Sequence, residues 1–90
     1  MLLISYDISN DKTRTHFSKF LSKYGHRLQY SLFEINNSKR ILNLIQIEIK
    51  SKYAKRFQES DSIMIFQMSS SCIITKYGYA KHQDEDLVLI

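Results

Sequence analysis

The chain has 90 residues, of which 43% are hydrophobic and 24% charged, with 13 Lys and Arg against 9 Asp and Glu. That length suits one domain, 1–90, with one modest core, and the composition excludes both a wholly disordered chain and a membrane bundle. The charge is uneven: residues 1–80 hold twelve bases and six acids, whereas residues 81–90 hold one base and three acids, so a basic body with a small acidic tail points to a polyanionic partner.

Residues 2–8 form an apolar run that predicts a buried strand ending at Asp7. The run is too short for a signal peptide and has neither a basic leader nor a small-residue cleavage site. With no stretch near membrane-spanning length, no membrane association and a cytoplasmic location are expected. Asn10 or Asp11 can cap the next element, because either side chain accepts a free backbone N–H. Phe17, Phe20, Leu21 and Tyr24 then recur at helical spacing and predict a helix over 11–24 stopped by Gly25. Lys12, His16, Lys19 and Lys23 fall on its outer side, either as solvated surface or as phosphate contacts.

Residues 27–35 alternate and predict one strand, with Leu28, Tyr30, Leu32 and Glu34 on one face and Arg27, Gln29, Ser31, Phe33 and Ile35 on the other. Asn36-Asn37-Ser38 is a turn and cap cluster. The segment 39–57 reads two ways: Ile41, Leu42, Ile45, Ile49 and Tyr53 fit a helix stripe, while Ile45, Ile47 and Ile49 fit a strand. Its length favours helix. A third strand begins at Asp61, Ser69-Ser70-Ser71 turn the chain, and a fourth strand runs from Cys72 to Tyr77, closed by Gly78. Polar residues 79–85 lead to a short terminal strand, 86–90. Two helices can cover one face of the resulting four-stranded sheet. Nothing remains to cover the other face, so a second copy is expected there. The terminal strand can add to that neighbour's sheet edge or pair within its own chain.

Few residues carry chemistry on their own. Cys72 is alone, which excludes an internal disulfide and a cysteine zinc site. The three histidines lack paired-ligand spacing, and no phosphate-cradling glycine loop is present. Asp7, at the end of an apolar strand, is either a strand-end residue or a hard oxygen ligand for a divalent cation. One carboxylate per chain is poor for magnesium, but a twofold axis beside it would supply two.

Tyr6-Asp7-Ile8-Ser9-Asn10-Asp11-Lys12-Thr13-Arg14, then Gly25-His26-Arg27-Leu28-Gln29-Tyr30-Ser31-Leu32-Phe33, then Asp61-Ser62-Ile63-Met64-Ile65-Phe66 and the closing Glu85–Ile90 closely resemble the CRISPR-associated protein 2 family, in order and over essentially the whole chain. The resemblance implies an α+β, ferredoxin-like sandwich and a homodimer in which the terminal strand crosses to the partner, with Phe33, Leu87, Val88 and Leu89 at the interface. It implies a part in acquiring CRISPR spacers, bridging a larger integrase subunit and holding a double-stranded DNA protospacer. It also implies magnesium-dependent endonuclease activity on RNA or DNA, with one Mg2+ shared between the Asp7 carboxylates across the dimer axis. Single-stranded RNA is then a further substrate. Ser9, Arg14, Arg27 and Ser31 would support the backbone or the dimer, and Lys12, Lys19 and Lys23 would contact phosphates. His16 departs from the basic residue common in the family. A purely structural DNA scaffold and adaptor is the alternative from a different class. An unrelated ferredoxin-like module is disfavoured, because the aromatic signature of RNA-recognition folds is missing.

Overall fold

Alternation sets the first element. In the computed structural model, which describes residues 1–69 and 71–78, β1 spans Leu2–Asp7, with Leu2, Ile4 and Tyr6 buried and Asp7 exposed. α1 spans Asp11–Ser22 and is capped by Asn10, whose side chain accepts the Thr13 N–H at 2.9 Å. Phe17, Phe20 and Leu21 form its buried stripe, and Tyr24 packs half-buried beside them. Gly25 is not part of the helix stop; it opens the next strand. A Cβ there would lie 2.0 Å from the Glu34 carbonyl oxygen, so only glycine fits.

The expected single strand over 27–35 is two. β2 spans Gly25–Gln29 and β3 spans Leu32–Ile35, paired antiparallel, with an irregularity between Arg27 and Gln29. The Arg27 guanidinium donates to the Tyr30 carbonyl and closes the turn. The core explains the break. Phe33 is 0% exposed, whereas Leu28 is 45% and Tyr30 72% exposed, so the Leu28–Tyr30–Leu32 face is not the one the core takes. Folding back gives β2 a ladder partner. No Gly, Pro, Asn or Asp occupies the tip, so the turn lacks its usual signal.

Ser38 caps α2, Lys39–Glu48, through the Ile41 N–H. The segment keeps turning through a π-helical stretch, Ile49–Tyr53, and a 3-10 turn, Ala54–Arg56. Ile45, Ile49 and Tyr53 are buried and Ile47 is exposed, so the helical stripe wins over the strand reading. β4, Ser62–Met68, and β5, Cys72–Gly78, complete an antiparallel sheet of order β2-β3-β1-β4-β5. The described residues therefore hold five strands, one more than expected. This α+β arrangement, with a helix after β1 and another after β3, is compatible with a ferredoxin-like sandwich. The expected strand 86–90 lies outside the described residues.

Both helices lie on the sheet face formed by Leu2, Ile4, Tyr6, Phe33, Ile35, Ile63 and Ile65, and the aromatic residues of α1 interlock there with Tyr6 and with Tyr53 of the π-helical stretch. Phe17 meets Tyr6 at 5.3 Å and Tyr53 at 4.9 Å, both edge-to-face. The register puts Leu3, Ser5 and Asp7 of β1 on the opposite face. They share it with Leu32 and Glu34 of β3, Ser62, Met64 and Phe66 of β4, and Ile74 of β5. No described element covers that face.

Candidate functional site

Asp7 is the last residue of the central strand and is exposed on the open face, opposite Ser62 in the β4 ladder. Its ladder toward β3 has ended: the last pair is Ser5 with Leu32, followed by the Tyr6 N–H donating to the Ser31 carbonyl at 3.1 Å. Among the described residues no group of three His, Cys, Asp or Glu gathers as a metal site. Asp7 thus offers one hard anionic ligand. That donor set suits Mg2+ in chemistry but falls short in number within one chain, since magnesium is held by one or two carboxylates plus substrate oxygens and water. The fit depends on a second copy bringing its own Asp7.

The loop leaving Asp7 is held from two sides. Ser9 donates its backbone N–H to Asp61 Oδ1 at 2.9 Å, and Gln58 donates its N–H to Asp61 Oδ2 at 2.9 Å. Ser9 Oγ stands 2.9 Å from Asp61 Oδ1 and 2.8 Å from Gln58 Oε1. Its one proton favours the carboxylate, the stronger acceptor. From the other side, Arg14 donates to the Ile8 carbonyl at 2.9 Å and pairs with Asp11. Burial would raise the Asp61 pKa, but the hydrogen bonds from Gln58 and Ser9 outweigh it and hold the carboxyl below its ordinary value. Ser9 and Arg14, expected to support the site, are both in this loop. By sequence Asp61 reads as the start of a strand and as the first residue of the Asp61–Phe66 segment that carries the family resemblance, with no role of its own. An acid directly before a buried strand is the signal for it in the residues themselves.

Arg27 lies over the Phe33 ring, 4.9 Å from its centroid. Phe33, expected at a dimer interface, is instead in the protomer's own core, 6.2 Å from the Tyr6 ring. Burial pushes the Tyr6 phenol above its usual pKa, partly offset by Arg27. Ser31 is half-buried in the β2–β3 turn. Tyr6, Arg14, Thr15, Ser18, Arg27 and Tyr30 line a shallow cleft between α1 and that turn. Leu87, Val88 and Leu89 lie outside the described residues.

The lysines belong to a different part of the molecule. Lys12, Lys19 and Lys23 are exposed on and beside α1. Lys19 and Lys23 share a groove with His16, Phe20, Glu48, Lys52 and Tyr53, between α1 and the π-helical stretch. Lys52 Nζ sits 5.3 Å from the Tyr53 ring centroid. Burial raises the pKa of the Tyr53 phenol, with Glu48 adding to the shift. The helical layer is strongly basic. Lys12, Arg14, Lys19 and Lys23 stand against Asp11 at the first helix; Lys39, Arg40, Lys50, Lys52, Lys55 and Arg56 stand against Glu48 in the second segment. Sequence spacing does not place Lys52 at the first helix face, because only the fold brings it beside Lys19.

Among the described residues no helix is long and apolar enough to cross a membrane. The family model for CRISPR associated protein Cas2 matches residues 1–75. The chain is 35% identical over 69 residues to CRISPR-associated endoribonuclease Cas2 3 of Synechocystis, covering 77% of this chain and 72% of that one. It is 31% identical over 71 residues to CRISPR-associated endoribonuclease Cas2 2 of Methanospirillum hungatei, covering 79% and 75%. It is 34% identical over 70 residues to CRISPR-associated endoribonuclease Cas2 1 of Chloroflexus aurantiacus, covering 78% and 73%. No solved structure matches. With a family match that runs from β1 into β5 and takes in Asp7, the Asp61 clasp and the basic helices, the chain belongs to the CRISPR associated protein Cas2 family.

Proposed function

We propose that the protein is a dimeric, magnesium-dependent endonuclease that binds nucleic acid and serves CRISPR spacer acquisition. The observation that carries this reading is the exposed carboxylate of Asp7, set at the end of the central strand on a sheet face that no described element covers. The names of the relatives, endoribonucleases, supply the reaction class. Half-buried Leu3, Leu32, Met64, Phe66 and Ile74 make that face apolar, and a second copy packed on it by a twofold operator removes it from water. The same operator pairs the Asp7 carboxylates around one shared ion.

When bound, magnesium supplies Lewis acidity toward a phosphoryl oxygen and acidifies water. The chain's own residues do the rest. Asp7 contributes the anionic ligand; the helical layer attracts the phosphodiester backbone without reading bases. Substrates are single-stranded RNA or duplex DNA, and in spacer acquisition the dimer bridges the integrase subunit while holding the incoming duplex.

A specific observation also favours the scaffold reading. Each chain offers one carboxylate, and no three-ligand cluster exists among the described residues, yet the helical layer is densely basic. A DNA-holding adaptor needs the second feature and not the first. Sedimentation with a Mn2+ titration tests the proposal: a dimer binding one ion per two chains supports the shared site, and a dimer with no Mn2+ binding leaves the scaffold reading alone.

A further inference from the structure

Two aspartates stand at the same end of the sheet in opposite situations. Asp7 is exposed at the end of β1; Asp61, directly before Ser62, is 1% exposed. Asp61 is not a spare metal ligand, because both its oxygens already accept hydrogen bonds from Ser9 and Gln58. A buried anion with no ion-paired cation among the described residues is costly to keep for packing alone. Its donors come from the two segments that flank Asp7. Ser9 is two residues beyond it, and Gln58 is in the turn that leads into Ser62, the residue facing Asp7 across the ladder. The backbone of Asp61 is closely packed as well: Gly78 has φ of 96°, and a Cβ on it would meet the Asp61 carbonyl oxygen at 2.3 Å.

We propose that Asp61 is a positioning residue for the cation site: by gripping Ser9 and Gln58 it fixes the end of β1, so that the Asp7 carboxylate is presented in one direction. The inference rests on the reading of Asp7 as a metal ligand. The ladder to β3 stops short of Asp7, so that strand end is held by the pairing with Ser62, by Ile8 buried in the core, by Arg14 on the Ile8 carbonyl and by this clasp, which is the restraint on the loop just beyond it. Magnesium demands near-ideal octahedral placement of its ligands, so freedom at the strand end translates into lost affinity. Two Asp7 carboxylates meeting at one ion double the sensitivity, because both strand ends must be placed at once.

The test compares wild type, Asp61→Asn, Ser9→Ala and Asp7→Asn, with Glu59→Gln as a surface control in the same turn. Mn2+ binding is measured by calorimetry on protein shown to be folded and dimeric, and duplex affinity and amide exchange of Ser9 are measured alongside. Asp61→Asn keeps an oxygen for Ser9 but turns an NH2 toward the Gln58 N–H. We expect about a tenfold loss of Mn2+ affinity, at the lower end of outer-shell effects, faster exchange at Ser9, and unchanged duplex affinity. Ser9→Ala, which removes only the hydroxyl bond, gives a smaller loss and carries the test should Asp61→Asn fail to fold. Glu59→Gln behaves as wild type. If Asp7→Asn abolishes Mn2+ binding while Asp61→Asn and Ser9→Ala bind it normally, Asp61 is a structural staple and the inference is overturned. If Asp7→Asn itself binds Mn2+ as wild type does, the metal site is elsewhere and both readings fall.

Discussion

One face of the sheet, carrying Leu2, Ile4, Tyr6, Phe33, Ile63 and Ile65, lies under α1 and α2 and is closed. The other, carrying Leu3, Leu32, Met64, Phe66 and Ile74, has no described element over it and ends at the carboxylate of Asp7. Charge divides in the same way. The helical layer outside the closed face is rich in Lys and Arg, whereas the open face carries Asp7, Glu34 and one base, Lys76, with His26 3.7 Å from Glu34 at its edge. Strand alternation makes this division in a 90-residue chain: consecutive side chains are sent to opposite sides, so a self-association face and a polyanion face can be specified by interleaved residues. The two faces are then independent, and variants should affect one without the other.

The largest expected effect comes from Met64→Glu, in the middle of the open face. The core should survive, because Met64 points away from it. Self-association should weaken by at least about a hundredfold, since taking a carboxylate out of water into an apolar interface costs roughly several kcal/mol, which Lys76 across the ladder offsets only in part. Sedimentation velocity checks this, and duplex binding per chain on the helical layer should change far less. A dimer that persists would move the self-association surface off the open face.

Next in size is Asp61, at the seam where the open face meets the loop into α1. Asp61→Ala leaves the Ser9 and Gln58 amides without their acceptor. It should cost about 1.5–3 kcal/mol, the net worth of hydrogen bonds to a charged group, because both donors are only partly buried and water replaces some of what is lost. Urea unfolding measures it. The same clasp gives a pH dependence. The folded-state pKa of Asp61 is lowered, so the unfolded chain, near the ordinary value of about 3.9, takes up the proton first. The contribution is complete above that value and is lost as the pH falls through the lower folded one. Urea midpoints between pH 7 and pH 3 should therefore fall more steeply for wild type than for Asp61→Asn.

The helical layer responds to salt. Replacing Lys19, Lys23 and Lys52 with Gln should lower the log–log salt slope of duplex binding by about one unit for each phosphate that is no longer neutralised, with the dimer intact. An unchanged slope would shift the polyanion surface toward Arg40, Lys55 and Arg56. The smallest effect belongs to Ile47→Lys. Ile47 is 65% exposed on α2, so stability should move by no more than about 0.5 kcal/mol and dimerisation not at all. That outcome contrasts directly with a charge at Met64.

Much of this is legible in the residues. The stripes Phe17–Phe20–Leu21 and Ile45–Ile49–Tyr53 are long enough to define a helical period, and both are buried as their spacing requires. The segment 27–35 is not legible as a hairpin, because its turn at Tyr30 and Ser31 has no Gly, Pro, Asn or Asp, only a lone serine, and is closed by the Arg27 side chain. Alternation continues across such a turn, so the pattern alone reads as one strand. Asp7 stands out as an acid ending an apolar run. Asp61 does not, because its role depends on Ser9, 52 residues away in sequence. The groove joining Lys19 to Lys52 is hidden for the same reason: helix packing, not spacing, makes it.

If Asp7 on the open face is the ligand through which the protein cleaves nucleic acid, its carboxylate should be indispensable to cleavage and dispensable to folding. The most direct measurement is cleavage of single-stranded RNA and duplex DNA by wild type and Asp7→Asn, with Mg2+ and with chelator. Asn is nearly isosteric and Asp7 is exposed, so fold and dimer should be retained. Wild type should cleave in a Mg2+-dependent manner, and folded, dimeric Asp7→Asn should fall to the level seen with chelator while duplex binding persists. Magnesium-dependent cleavage by Asp7→Asn at the wild-type rate would contradict the assignment.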